Sequence, residues 1–449
     1  MKQNLLWSSV RPTYTFLLFI SISLVCITGC RKDPGPRGEL PPVAYSADVL
    51  DKWMTLEIRL YSNVTGIFNG GVARPFAYSG ICAYESIDPG FASWKNKYNG
   101  LSSLPETDKS KKYHWPLSVN ASLAEFNRQF FTSANSKPAD IAAIDSLEGA
   151  INASFSSVNP AEASRSIAFG KAIADAIFAW STTDDYDVNN ALPYTPPVGF
   201  GLWELAPPAF AKPQGPYWSH DRRIIASSGD NAGAPPPTPY SEDPNSDFYK
   251  MVNDLYAASL TLTTDQKNWA LFWRDIPGTT TPGHWLSIVQ QVVRQTHSRL
   301  DRAALAYAMV GIELNDGVIS VFGDKYKYNV VRPITYIRKV IGDAAWLSFL
   351  TTPSHPEYPS AHSVVSAAAS EALMAIYGNI GPFTDHTFDY LGIPARTFKT
   401  LRDIGQDAGH SRFYAGIHYK PSIEAGLTEG RIIGENIVNE LARFHDDDK

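Results

Sequence analysis

From residue 46 onward, apolar side chains recur at intervals of three and four. Val49, Trp53, Leu56 and Leu60 form one stripe, and Val72, Phe76, Ile81 and Tyr84 form the next. Such spacing puts each set on one face of an α-helix, with polar positions opposite. The same period predicts helices over 117–131 and 141–155. A further helix opens at Asn159, with Pro160 in its first turn and Ile167, Ile173, Ile177 and Trp180 as its stripe. Helical pattern returns at Phe248 and continues through 268–273, 285–293 and 300–321. No run alternates with the period of a strand, so the expected class is all-α, a helical bundle with an additional helical N-terminal half. The stripes read as core.

Between the two helical blocks, residues 184–247 lose the period and fill with Pro, Gly and aromatic residues. A structureless run of this length is uncommon inside a compact domain unless it is functional or a linker. Tyr194, Phe200, Trp203, Phe210, Tyr217 and Trp218 argue for an ordered loop draped near a site, because disordered linkers are aromatic-poor. His220, Arg222 and Arg223 are then candidate pocket residues, with solvated loop charges as the alternative.

The first thirty residues read as an export signal. Lys2 and Arg11 precede an apolar run over 16–27, which is short for a membrane span. The Ile27-Thr28-Gly29-Cys30 ending resembles a bacterial lipobox, which implies lipidation at Cys30. Residues 31–45, rich in Pro, Gly and charge, read as a flexible linker. The expected organisation is therefore signal peptide 1–30, linker 31–45, N-terminal helical region 46–183, loop 184–247 and C-terminal helical region 248–449. No other run of spanning length stands out, so the expected membrane association is through the lipid anchor alone. The expected location is outside the cytoplasm, on a membrane facing the periplasm or the exterior.

The 449 residues carry a net charge of −6, with 44% hydrophobic and 19% charged residues. That balance offers no field to hold a polyanion, which argues against nucleic acid as a partner. Cys82 is the only cysteine beyond the signal and reads as a small buried hydrophobe.

Candidate chemistry gathers in the last third. Lys325 is followed after six residues by Arg332-Pro333, then come Pro359-Ser360-Ala361-His362, and then Ser411-Arg412 with His418 after five more. Any one such pattern arises by chance in about one chain in twenty of this length, and all three together in about one in ten thousand. The segment 353–363, PSHPEYPSAHS, runs from a proline-stiffened turn into a helix start, where free N–H groups and the macrodipole gather anions. Lys325 supplies a point charge, Arg332 and Arg412 supply forked donors, and Ser360 a hydroxyl. Charge-assisted hydrogen bonds of this kind contribute ~1.5–3 kcal/mol each, so a few together can hold a multivalent tetrahedral oxyanion. His418 would reach the central atom of that anion as ligand or nucleophile, and His362 would act as acid and base opposite it. A divalent-cation site built from His355, His362, His410 and His418 fails on charge, since the same three cations would repel the metal.

On these motifs the chain resembles the vanadium-dependent haloperoxidases and the type 2 phosphatidic acid phosphatases (the PAP2 superfamily), and in particular exported bacterial members on the haloperoxidase side. The resemblance implies the helical-bundle fold of that superfamily. It further implies that Lys325, Arg332, Ser360, the Ala361 N–H and Arg412 hold vanadate or phosphate, with His418 as vanadium ligand or phosphorylated residue and His362 as acid–base. Gly416 matches the glycine of the third motif, and His355 falls in the wall of the vanadate pocket. The implied substrates are hydrogen peroxide, a halide and an organic acceptor. For a phosphatase, needing no vanadate, the substrate is a phosphate ester. Two positions depart from the family pattern. Ala361 stands where glycine is usual, and Ser422 stands where an aspartate commonly supports the histidine four residues earlier. Glu424, Asp403 and Asp407 are candidate replacements for that carboxylate. Without one, the expectation is an impaired oxyanion-binding protein.

Overall fold

The computed structural model describes residues 39–446 other than 68, 88–93, 95 and 277–280, so the expected signal segment with Cys30 and the first part of the linker lie outside the described residues. The N-terminal block comprises α1 (Asp48–Asn63), α2 (Ala73–Glu85), α3 (Trp115–Phe130), α4 (Pro138–Ser154) and α5 (Pro160–Ser181), with the short α6 (Tyr186–Asn190) after it. Asn159 caps α5 by accepting from the Ala161 and Glu162 N–H groups, as its place before Pro160 predicts. The C-terminal block comprises α7 (Asp247–Ser259), α8 (Thr264–Phe272), α9 (Thr281–Gln295), α10 (Leu300–Tyr328), α11 (Pro333–Tyr336), α12 (Ala361–Tyr377), α13 (Leu401–Tyr414) and α14 (Lys420–Asp446). One antiparallel pair, β1 (Phe383–Asp385) with β2 (Arg396–Phe398), sets Phe383 opposite Phe398.

The two blocks are joined along α10. It packs on α2 from the N-terminal half and on α12 from the C-terminal half, and α12 in turn carries α13 and α14. Within the 29 residues of α10, an 18-residue window of mean hydropathy 1.3 has the length and composition of a membrane span, although no such run stands out by eye, and that window is wholly buried in the body. It is the core helix. It also runs past residue 321, where its apolar pattern fades, to Asn329, whose left-handed backbone (φ 50°) ends it. Those last two turns or so carry Lys325 into the interior.

At the other end of α10 the Leu300 N–H donates to the Tyr45 carbonyl at 3.0 Å, and just before α3 the Tyr113 N–H donates to the Glu39 carboxylate at 2.8 Å. The second half of the expected flexible linker is thus packed, because residues 39–45 satisfy backbone groups that a helix start leaves open.

The loop over 184–247 lies along one side of α10. Buried Asp316 accepts from the Ile224 and Ile225 N–H groups at 2.8 and 3.0 Å, and Asp324 accepts from Ala234 N–H at 2.6 Å. Trp203 and Trp218 are buried, the latter against Phe322, whereas Phe200 and Phe210 are exposed. Order therefore comes from two tryptophans and two helix carboxylates more than from the aromatics as a group. Trp203 N–H donates to the Asn329 carbonyl and Val331 N–H to the Gly201 carbonyl, which ties the loop to the chain just beyond α10.

Close approach of α12 and α14 uses glycine. A Cβ on Gly426 would lie 2.7 Å from the Ser360 carbonyl oxygen, and one on Gly430 would lie 2.0 Å from that of Val364. Their absence lets the first turn of α12 sit directly against α14.

Candidate active site

Four chain segments converge at the C-terminal end of α10. Lys325, fully buried on its last turn, donates to the carbonyls of Pro356, Glu357 and Pro359 at 3.0, 3.1 and 2.5 Å. Burial and the neighbouring Arg332 push its pKa well down. Three acceptors nonetheless match the three protons of an ammonium, where a neutral amine would offer only two, so the geometry argues for the charged form. Lys325 then contributes charge rather than direct contact.

Arg332 precedes Pro333, which starts α11 and holds the arginine in extended backbone. Its buried guanidinium donates from Nε to the His355 carbonyl at 2.8 Å, from Nη1 to the Ile417 carbonyl at 2.8 Å, and from Nη2 to His355 Nδ1 at 3.0 Å. Nη1 also lies 3.3 Å from His418 Nε2. The Arg332 donor at 3.0 Å and the Pro356 carbonyl at 3.3 Å compete for His355 Nδ1, and the shorter contact makes Nδ1 an acceptor and puts the ring proton on Nε2.

Ser360 caps α12, its hydroxyl oxygen accepting from Ser363 N–H at 3.4 Å, which leaves the hydroxyl proton free to donate. Ala361 is the first residue of α12, so its backbone is helical and alanine fits the place without strain. His362 follows. Its Nε2 lies 3.0 Å from the Trp273 carbonyl, 2.8 Å from Thr281 Oγ1 and 3.6 Å from Asp275 Oδ2. A carbonyl only accepts, so Nε2 carries the proton and Nδ1 keeps a lone pair. Burial lowers the His362 pKa to about 4, with Asp275 pulling upward and Arg412 downward.

Arg412, on the last turn of α13, donates to the Ala270 carbonyl at 3.0 Å and the Ser411 hydroxyl at 3.1 Å. Its Nη1 stands 3.3 Å from His362 Nε2, donor against donor, so those protons remain for an anion. Gly416 (φ 76°) makes the left-handed turn that brings the chain from Arg412 back to His418. His418 Nδ1 lies 2.8 Å from Glu357 Oε1 and 3.5 Å from the Ser422 hydroxyl.

His355, Ala361, His362, Arg412 and His418 line one cavity of about 510 Å³, with Val318, Phe322, Phe349, Ala206 and Pro207 among its apolar walls. Lys325, Arg332 and Ser360 are fully buried behind that floor. The loop residues on the cavity are Ala206, Pro207, Ala209, Ala211 and Gln214. His220 is exposed, Arg222 instead bonds Thr183 and the Trp180 carbonyl, and Arg223 lies against Gly229, so the three loop charges do not form the wall. His410 is likewise partnered elsewhere, with exposed Glu424.

The expected replacements for the family aspartate are engaged elsewhere too. Glu424 holds His410, Asp403 caps α13 with Thr400, and Asp407 binds Arg396, Trp269 and Trp273. The carboxylate at His418 is Glu357. Arg274, Asp275 and Thr281 also stand at the cavity without having been singled out in the sequence. No motif flags them; Glu357 alone had a signal, its place in the anion-attracting turn.

The donor set fits an oxyanion. Burial drops both Arg332 and Arg412 to about 10, which leaves them cationic at neutral pH. His355 and His418 are pushed well below the ordinary range by burial and by Lys325 and Arg332. A multivalent anion between these groups would attract each of them and so offset their mutual repulsion.

A family profile for the second helical-bundle domain of vanadium chloroperoxidase (VCPO) matches residues 305–447. Among solved structures, one described as the first bacterial vanadium-dependent iodoperoxidase superposes with a TM-score of 0.79 at 30% identity, covering 90% of this chain and 98% of that one. A holo-type bacterial vanadium-dependent chloroperoxidase gives 0.62 at 14% identity, covering 90% and 93%, and its apo-type gives 0.59 at 13%, covering 83% and 95%. These last two share the fold. No curated protein sequence gives a significant match. With nearly the whole length aligned to the iodoperoxidase and the oxyanion constellation assembled inside the matched domain, this chain belongs to the vanadium haloperoxidase family.

Proposed function

We propose that the protein is a vanadate-dependent haloperoxidase that oxidises a halide with hydrogen peroxide, with iodide the halide favoured by the 30% identity to the iodoperoxidase. The observation that carries this reading is the packing of Lys325, Arg332 and Arg412 around the neutral imidazoles of His362, at the start of α12, and His418, just before α14. Arg332, Ser360, the Ala361 N–H and Arg412 would hold vanadate, with Lys325 adding its charge from behind them, and His418 would ligate it through Nε2. Bound there, vanadate supplies Lewis-acid activation of the peroxide at constant oxidation state.

His362 holds its Nε2 proton on the Trp273 carbonyl and presents Nδ1 as the proton-accepting atom. Thr281 keeps that ring in place, since its hydroxyl accepts from Nε2 and donates to Asp275 at 3.0 Å. His355 offers an uncharged Nε2–H to the cavity, suited to a halide or peroxide oxygen. Phe322, Val318 and Phe349 on the walls keep water sparse and sharpen the electrostatics. The same residues suit phosphate ester hydrolysis through a phosphohistidine, which is the runner-up. We also propose that residues 1–30 direct export and that Cys30 carries lipid, on the strength of the lipobox-like ending.

The test is peroxide-dependent iodination and bromination of a phenol dye by purified protein, with and without orthovanadate, alongside phosphate ester hydrolysis. Halogenation only with vanadate, abolished by His418→Ala, is the expected result. Hydrolysis inhibited by vanadate, with no halogenation, would replace this reading by the phosphatase.

A further inference from the structure

We propose that Glu357 is the positioning residue of His418: it fixes the histidine proton on Nδ1 and so turns the Nε2 lone pair toward the oxyanion, in place of an aspartate four residues after the histidine. This rests on the vanadate-site reading above.

The tautomer follows from hydrogen-bond directions alone. Glu357 Oε1 lies 2.8 Å from His418 Nδ1 and also accepts the Tyr419 N–H at 3.0 Å. Buried Oε2 has no partner to accept a carboxyl proton, and the donor Arg332 Nη1 facing Nε2 requires a lone pair on that nitrogen, so the carboxylate form with Oε1 as acceptor suits both sides of the ring. Nδ1 is therefore the donor, and Nε2 has the free pair. Arg332 Nη1, 3.3 Å away, faces that pair with a proton. Ser422, at 3.5 Å from Nδ1, sits at the outer limit of a hydrogen bond and has no charge to raise the basicity of the ring.

Glu357 is itself held at three points. Its N–H donates to the Val330 carbonyl at 2.9 Å, its carbonyl accepts from Lys325 at 3.1 Å, and its side chain is anchored by Tyr419. The turn that presents it also supplies the His355 carbonyl to Arg332 and begins α12 at Ser360. One short turn thus sets the lysine, the first arginine and the ligand histidine in mutual register, which a carboxylate on α14 at position 422 would not do.

The experiment compares wild type, Glu357→Gln, Glu357→Ala, and Glu357→Ala combined with Ser422→Asp. Long-range ¹H–¹⁵N correlation spectra of uniformly labelled protein, recorded without vanadate, report the His418 tautomer. Titration calorimetry reports affinity for orthovanadate and for inorganic phosphate. The wild type is expected to show Nδ1–H. Glu357→Ala is expected to lose that preference and to bind vanadate about 10–100-fold more weakly, the usual loss when the partner of a metal-ligating histidine is removed. Phosphate, held by the cations without a bond from Nε2, is expected to change less than about threefold on the same argument. Adding Ser422→Asp should restore part of the vanadate affinity. Glu357→Gln, whose amide oxygen also accepts, should keep the tautomer while losing vanadate affinity, and it serves if Glu357→Ala does not fold. An Nε2–H tautomer in the wild type would overturn the inference, as would wild-type vanadate affinity in folded Glu357→Ala or Glu357→Gln. Absence of vanadate binding by the wild type would instead sink the haloperoxidase reading, while the tautomer measurement still decides the role of Glu357.

Discussion

Replacing Arg412 by lysine separates fork geometry from charge at the anion site. The guanidinium is buried and fixed by the Ala270 carbonyl at 3.0 Å and the Ser411 hydroxyl at 3.1 Å, and its Nη1 protons face the cavity against an imidazole nitrogen that is itself a donor. Lysine keeps the charge, yet one Nζ cannot reach both the Ala270 carbonyl and the anion. Losing one charge-assisted bond to the anion amounts to ~1.5–3 kcal/mol. At 1.4 kcal/mol per tenfold, that is about a 10- to 100-fold weaker affinity for inorganic phosphate or orthovanadate. If the lysine instead spends itself on the anion, the orphaned Ala270 carbonyl at the end of α8 destabilises the fold by about 1–3 kcal/mol. Titration calorimetry with phosphate at 25 °C, paired with thermal unfolding, reads both outcomes. A variant that is folded, unchanged in stability and within about threefold of wild-type affinity would refute the assignment of Arg412 to the oxyanion.

Two further outcomes follow from burial. His114, edge-on to Tyr45 and Phe155, and His362 both have pKa values lowered to about 4 by burial, below the unfolded value of 6.5. The unfolded chain therefore binds more protons between those values. The stability these groups give is fully present above about pH 6.5 and declines as pH falls toward 4, at up to ~1.4 kcal/mol per pH unit per group. Urea unfolding from pH 7 to 4 should show that decline, and His114→Phe should make it shallower by about one proton; an unchanged slope contradicts the burial argument. Gly430→Ala places a methyl 2.0 Å from the Val364 carbonyl oxygen and forces α12 away from α14. The expected loss is ~1–3 kcal/mol with a lower Tm, and weaker phosphate binding because Ser360 and His362 begin α12. An unaltered Tm would show that the two helices yield more easily than this packing implies.

Sequence by itself determined what depends on local chemistry. Helical periodicity is set by side-chain direction every 3.6 residues, so the all-α class and most helices follow from it, and Asn159 before Pro160 acts as a cap wherever the helix sits. The three motifs name the cations and the histidines, because their residue types suit one charge problem. What required the tertiary structure is partner choice across long separations. Glu357 is 61 residues from His418, and Thr281 is 81 from His362. A glutamate in a turn has the same local signature whether it meets solvent or an imidazole, so Asp403, Asp407 and Glu424 looked equally eligible until packing assigned them to a helix cap, to Arg396 and to His410. Likewise nothing periodic marks 184–247; its order comes from buried Trp203 and Trp218 and from Asp316 and Asp324, which reach its backbone amides from α10. Hydrogen-bond direction, once those partners were in place, then decided the tautomers of His355, His362 and His418, which residue identity leaves open.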